Sequence, residues 1–219
     1  TDITLYINEI FYSIQGESTR AGIPCVFVRT QGCMLRCTWC DTDYALELKQ
    51  KANIMTLDAI LSEIAQYNCN FIELTGGEPL AQANTLILAK ALCDAAYETA
   101  IETNGHADVS QLDPRVIKIM DFKCPGSGMS KSNNFKNINF LTKKDEVKFV
   151  ISDKNDFDWA CGIINEYNLP DRVNSVIVSP VLGKIEPREL AEMVLASKLK
   201  IRMQLQMHKY IWDPKQRGV

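Results

Sequence analysis

The sequence predicts an α/β domain whose strands form a mostly parallel sheet with helices on its outer face. Three observations predict it: short runs rich in Val, Ile and Phe, amphipathic helical stretches between them, and an ordinary globular composition of 46% hydrophobic and 23% charged residues over 219 positions. The first run is 26–30. Leu57, Ile60, Leu61 and Ile64 then fall at i, i+3, i+4 and i+7, so one face of a helix is apolar. Strands are expected next at 71–74, 98–102, 117–122, 147–151 and 175–178. Leu190, Met193 and Val194 repeat the helical spacing behind Pro187, which suits a first helical turn, and the run 201–206 closes the series. Such alternation joins neighbouring strands through crossover helices, which makes them parallel. No repeat, low-complexity tract or linker divides the chain, so residues 1–219 are expected to form a single domain. Residues 125–140 are polar and rich in Gly, Ser and Asn, and are expected to be a long mobile loop, either a lid or a surface insertion.

Against 27 Asp+Glu stand 24 Lys+Arg, a net charge of −3. This excludes a dedicated nucleic-acid coat or a polybasic membrane binder. No apolar run reaches the ~18 residues that span a bilayer. The stretch TDITLYINEIFYSIQGE lacks the basic start and apolar core of a signal peptide, so a cytoplasmic location is expected. There thiols stay reduced, and the eight cysteines read as metal ligands or reactive groups rather than disulfides.

Cys25, Cys69, Cys93, Cys124 and Cys161 are scattered through mostly apolar segments and read as core residues. Cys33, Cys37 and Cys40 are different, forming C-x3-C-x2-C in GCMLRCTWCD just after the first strong strand. A structural zinc site needs four ligands, for which Cys124 or His106 would have to join. A 4Fe–4S cube fits better, because three thiolates leave one iron open to bind a ligand. Gly76-Gly77-Glu78-Pro79 follows the strand FIELT; adjacent glycines let backbone approach a ligand, although alone the segment reads as a strand-to-helix turn.

Together these segments resemble the radical S-adenosylmethionine (SAM) superfamily, in which the open iron binds SAM and the GGE segment receives its amino group. Further stretches narrow the match: Ile14-Gln15-Gly16-Glu17, Phe27-Val28-Arg29, Trp39-Cys40-Asp41-Thr42, Glu102-Thr103-Asn104-Gly105, Asp121-Phe122-Lys123 (where some relatives carry Ser-Pro-Lys) and Gln206-Met207-His208-Lys209. From about residue 6 onward the chain resembles the 7-carboxy-7-deazaguanine synthase family.

The resemblance implies an open, partial TIM-like barrel, with residues 207–219 closing its mouth. Consistent with that, the cysteine, GGEP, ETNG and DFK segments each lie at or just after the end of a predicted strand, where parallel barrels gather active-site groups. It implies ring contraction of 6-carboxy-5,6,7,8-tetrahydropterin to 7-carboxy-7-deazaguanine with loss of ammonia, a deoxyadenosyl radical taking hydrogen from C6 and SAM being regenerated. Cys33, Cys37 and Cys40 would hold the cluster. Trp39, Cys40, Asp41, Gly77, Asp121, Phe122, Lys123, Ser179, Pro180 and Val181 would line the SAM site. Ile14, Gln15, Gly16, Glu17, Thr75 and His208 would contact the pterin. Arg29 would meet its carboxylate, for which a planar guanidinium fork is suited. Val219 would bring a carboxylate to the two-donor edge of the pterin, and Gly218 would let the chain turn inward. Thr42 would bind Mg²⁺.

The same resemblance implies a homodimer and a flavodoxin- or ferredoxin-like reductant. The bland alternatives are an ion-pair role for Arg29, a satisfied barrel histidine at His208, packing or surface roles for Lys209, Tyr210 and Trp212, and a disordered basic tail from Lys215. Two rival functions are a glycyl-radical activating enzyme, which needs a protein substrate, and a non-enzymatic electron-transfer or metal-binding module.

Overall fold

The central strands are buried along nearly their whole length, covered on both faces, and form one layer in a computed structural model that describes residues 2–48, 53–213 and 216–219. The strands are β1 (Thr4–Ile14), β2 (Pro24–Thr30), β3 (Asn53–Thr56), β4 (Phe71–Gly76), β5 (Glu98–Thr103), β6 (Ile117–Phe122), β7 (Glu146–Ile151), β8 (Ser175–Pro180) and β9 (Arg202–Met203). The helices are α1 (Leu57–Ala65), α2 (Thr85–Asp94), α3 (Lys154–Glu166), α4 (Pro187–Ser197) and the short α5 (His208–Ile211). The sheet order is β3-β1-β2-β4-β5-β6-β7-β8-β9. From β2 to β9 every neighbour is parallel, while β1 runs antiparallel to β2 and β3. Among the described residues the two ends do not pair with each other, so this is an open, partial barrel.

Each strand presents alternate residues to two different environments. Val26, Val28, Ile72, Leu74, Ile101, Met120, Phe122, Val147, Phe149, Val176 and Val178 face outward, packing with Ile60 and Ile64 of α1, Leu88 and Leu92 of α2, Phe157 and Ala160 of α3 and Leu190 of α4. The opposite set, Phe11, Cys25, Phe27, Phe71, Ala100, Ile117 and Ile119, forms a separate apolar plug inside the barrel. Higher on that inner face the residues become polar: Arg29, Glu73, Thr75, Glu102, Asp121 and Lys148.

The predicted strands and the two predicted helices are present, with small shifts at their ends; 201–206 is shorter, only Arg202–Met203. Strands β1 and β3 and helices α2 and α3 were not anticipated. In β1 a bulge between Ile7 and Glu9 moves the outward positions from Leu5 and Ile7 to Ile10, which breaks the period-2 signal. Residues 125–140 form three 3₁₀ turns, Pro125–Ser127, Ser130–Ser132 and Phe135–Phe140. Phe135 stacks on Tyr167 at 5.4 Å, and the buried Asn137 donates to Gly105 O (3.1 Å) and Ala107 O (2.7 Å). Among the described residues no helix is long and apolar enough to cross a membrane.

Candidate active site

The loops leaving the C-terminal ends of β2, β4, β5, β6, β7 and β8 surround a cavity of about 300 Å³. Cys33, Cys37 and Cys40 all line it, on the loop that follows β2. That loop is pinned at its base by backbone: Gly32 N donates to Ala45 O (2.7 Å) and Cys33 N to Leu46 O (3.0 Å). The turn after β4 grips it from below. Gly77 N donates to Thr30 O (3.3 Å) and Glu78 N to Gly32 O (2.8 Å). The glycines are required by this close approach: a Cβ on Gly77 would lie 2.6 Å from Gly32 O, and one on Gly76 would lie 2.4 Å from Thr30 O. Glu78 fixes the turn from the other side, its buried carboxylate accepting from Asn104 N (2.8 Å), Thr103 Oγ1 (2.9 Å) and Leu80 N (3.0 Å).

The donor set suits an iron–sulfur cube. Three thiols face one cavity, and the candidate fourth ligands do not: Cys124 is buried in the outer core, and His106 bonds to Ser132 O at 2.7 Å away from the cavity. Among the described residues no group of three or more His, Cys, Asp or Glu converges on a point where a single ion could sit. Cube ligands instead address three different iron atoms. Cys33 Sγ accepts from Leu35 N (3.4 Å) and Asn104 Nδ2 (3.7 Å), the backbone and amide donors that tune such a thiolate. Burial raises the pKa of the Cys33 and Cys37 thiols.

Beside the cysteines, Trp39, Asp41, Gly77, Asp121, Lys123 and Val181 also line the cavity. Lys123 Nζ pairs with Asp121 Oδ2 at 3.0 Å, while Asp121 Oδ1 is buried without a partner, an acceptor ready for a bound hydroxyl or amine. Three expected members of this set do not line it. Phe122 follows Asp121 on β6 and so points to the opposite face, where it packs against Phe135 at 5.2 Å. Ser179 and Pro180 are buried at the end of β8, the Ser179 hydroxyl without a partner.

The expected substrate contacts Ile14, Gln15, Gly16, Glu17, Arg29, Thr75, His208 and Val219 all line the same cavity. Gln15 is held within the protein: its amide nitrogen donates to Glu73 and its oxygen accepts from Glu17 N at 3.0 Å. Gly16 lies under the C-terminal segment, accepting from Met207 N at 2.9 Å, and a Cβ there would meet His208 Nδ1 at 2.3 Å. Arg29 donates from Nε to Glu9 Oε1 at 2.8 Å and lies 5.6 Å from the Phe11 ring centroid, so the ion-pair role is present alongside its place in the cavity. Thr75 Oγ1 donates to Glu102 Oε2 at 3.4 Å. Burial lowers the His208 pKa against the pull of Glu17, which favours the neutral ring. Thr42 lines the cavity with its hydroxyl 3.9 Å from Cys40 Sγ. Arg217 lies over the Tyr44 ring at 3.7 Å, carrying residues 216–219 across the mouth; Lys215, where a loose tail was the alternative, lies outside the described residues.

Several site residues carried no role in the sequence. Lys209 is an ion-pair partner, donating to Asp41 Oδ2 (2.8 Å) and Gln206 Oε1 (2.7 Å). Desolvation opposes the charge on Asp41, but Lys209 outweighs it and holds the carboxyl at about 2. Glu73, Glu102 and Lys148 form a charged layer above the apolar plug. Their signal was a charge at an inward strand position, between apolar neighbours in FIELT and EVKFVI and directly after Ala100-Ile101 in ETAIET.

The model of the radical SAM superfamily matches residues 27–195. The 7-carboxy-7-deazaguanine synthase of Chlorobaculum tepidum is 43% identical over all of this chain and 99% of that protein. The synthase of Koribacter versatilis is 39% identical over 98% of this chain and all of that protein. Among solved structures, QueE from Escherichia coli is similar at a TM-score of 0.78 and 23% identity, covering 94% of this chain and 95% of that one, which supports the fold. Full-length identity at this level, on a scaffold that turns three closely spaced cysteines toward a single cavity, settles the classification. The chain belongs to the 7-carboxy-7-deazaguanine synthase family of the radical SAM superfamily.

Proposed function

We propose that this enzyme converts 6-carboxy-5,6,7,8-tetrahydropterin to 7-carboxy-7-deazaguanine with loss of ammonia, using SAM as a recycled cofactor. When bound, the cluster and SAM supply one-electron cleavage of SAM and thereby removal of hydrogen from substrate C6. The chain does the rest by binding, orienting and excluding water. Cys33, Cys37 and Cys40 would hold the cluster, with Gly77, Asp121 and Lys123 beside them for SAM. Glu17, Arg29, Thr75, His208 and Val219 would surround the pterin, whose carboxylate suits the Arg29 guanidinium and whose ring N–H groups suit carboxylate acceptors. The observation that carries the proposal is this juxtaposition: a three-thiol loop and a polar, mixed-charge chamber share one cavity, sized for small molecules.

Thr42, adjacent to the cluster loop, would offer a hard oxygen ligand to Mg²⁺. A flavodoxin- or ferredoxin-like protein would supply the electron, and the enzyme would act as a cytoplasmic homodimer. Anaerobically reconstituted protein given SAM, reductant and the carboxytetrahydropterin is expected to release 7-carboxy-7-deazaguanine, followed by mass spectrometry. Reductive SAM cleavage without that product would refute the substrate assignment.

A further inference from the structure

Lys148 projects from the middle of β7 into the barrel interior and is only 2% exposed. An ammonium buried this deeply is costly unless its donors are paired. Here two of the three are paired, Nζ donating to Glu17 and to Glu102 Oε1 (2.7 Å), and Asp121 Oδ2 stands 3.7 Å away as a further countercharge. Burial opposes the charge, and Glu102 and Glu17 outweigh it, so the lysine is held well above its ordinary pKa. Its partners come from different elements: Glu17 from the segment after β1, Glu102 from β5 and Asp121 from β6.

Two chains of contacts lead from this cation to the cysteine loop and its neighbours. On one side Glu17 Oε1 accepts from Gln206 Nε2 (2.7 Å), Gln206 accepts from Lys209 (2.7 Å), and Lys209 reaches Asp41 (2.8 Å), the residue after Cys40. On the other side Asp121 holds Lys123 at 3.0 Å. With Lys148 removed, Glu17, Glu102, Asp121 and the buried Glu73 would lose the cation they share, leaving Lys123, Arg29, Lys209, Arg217 and the neutral-leaning His208 around the same cavity. Glu73 already shows the effect, its carboxyl pushed well up by burial and by Glu102 and Glu17.

We propose that Lys148 is a positioning residue that holds Glu17 and Glu102 in register with the Asp121–Lys123 pair, so that the pterin and SAM are presented to each other in one geometry. The inference rests on the function proposed above and goes beyond it by naming what aligns the two halves of the cavity. Two of its donors are committed to the Glu17 and Glu102 carboxylates, and it acts through them.

The test uses full-length Lys148→Met, with Lys148→Gln and Lys148→Arg beside it. Titration of cluster-free protein with the carboxytetrahydropterin is expected to show a loss of affinity of about tenfold or more for Lys148→Met. In reconstituted enzyme the acidic limb of the kcat/KM profile is expected to move to higher pH. A carboxylate that loses a neighbouring cation takes up its proton at higher pH. More 5′-deoxyadenosine should form per product, and Lys148→Arg should recover part of each effect. Wild-type affinity and an unmoved acidic limb in a folded Lys148→Met protein would overturn the proposal. If that variant does not fold, Lys148→Gln is read by the same two measurements; failure of both to fold would make Lys148 a folding group and overturn the positioning role. Wild-type protein that binds no pterin would overturn the functional proposal, and this inference with it.

Discussion

Replacing any one of Cys33, Cys37 and Cys40 by Ala is expected to remove the 4Fe–4S cluster and abolish SAM cleavage, read as iron and sulfide content and 5′-deoxyadenosine yield. All three thiols open into one cavity on a loop fixed by backbone hydrogen bonds at both ends, so the loss of one leaves a corner of the cube without a ligand. Cys124→Ala is the informative control. Its thiol is 1% exposed within the outer core, and its substitution should lower stability by about 1 kcal/mol, with the cluster retained. Loss of iron in Cys124→Ala would mean a fourth thiolate ligand and would remove the open coordination position on which SAM chemistry depends.

Gly77→Ala should be nearly as damaging, for a steric reason. The new methyl would lie 2.6 Å from Gly32 O and 2.8 Å from Ala45 O, both backbone atoms of the cysteine loop. Neither can swing aside as a side chain would, so the loop itself must shift. Positioning errors of about 1 Å at a reacting centre cost on the order of a hundredfold in rate. SAM affinity, measured by equilibrium binding to reconstituted protein, is expected to fall at least about tenfold. Gly162→Ala, in the middle of α3, provides the contrast: a Cβ there meets nothing within 4 Å. It should raise stability by roughly 0.5–1 kcal/mol and leave SAM binding unchanged. Equal behaviour of the two variants would refute the close-packing argument for the GGE turn.

What the sequence disclosed followed the range of the interactions. The cysteine triplet and the GGE segment were legible because their function depends on local spacing, and the strands between 26 and 178 because buried parallel strands are continuous in Val, Ile and Phe. Strand β1 was hidden by its bulge, which shifts the buried set from Leu5 and Ile7 to Ile10. Phe122 was drawn into the cofactor set by its neighbours Asp121 and Lys123, yet strand alternation turns it into the core. Lys148 and Glu17 are 131 positions apart, and Lys209 and Asp41 are 168 apart, so nothing in either neighbourhood announces the pairing. Long separation likewise explains why Lys209 read as a packing or surface residue and why the commitment of Gln15 to Glu73, 58 positions away, was invisible. Arg29 illustrates a different limit: its pairing with Glu9 and its place in the cavity are compatible, and only the folded chain shows both.

In the proposed reaction SAM serves this cavity as a cofactor that is used and restored while the pterin is rearranged. Turnover of carboxytetrahydropterin bearing deuterium at C6, with SAM and product quantified together by mass spectrometry, tests it most directly. Product should exceed the SAM consumed many times over, and deuterium should appear in the SAM pool. One 5′-deoxyadenosine per product, with no label returned to SAM, would contradict it.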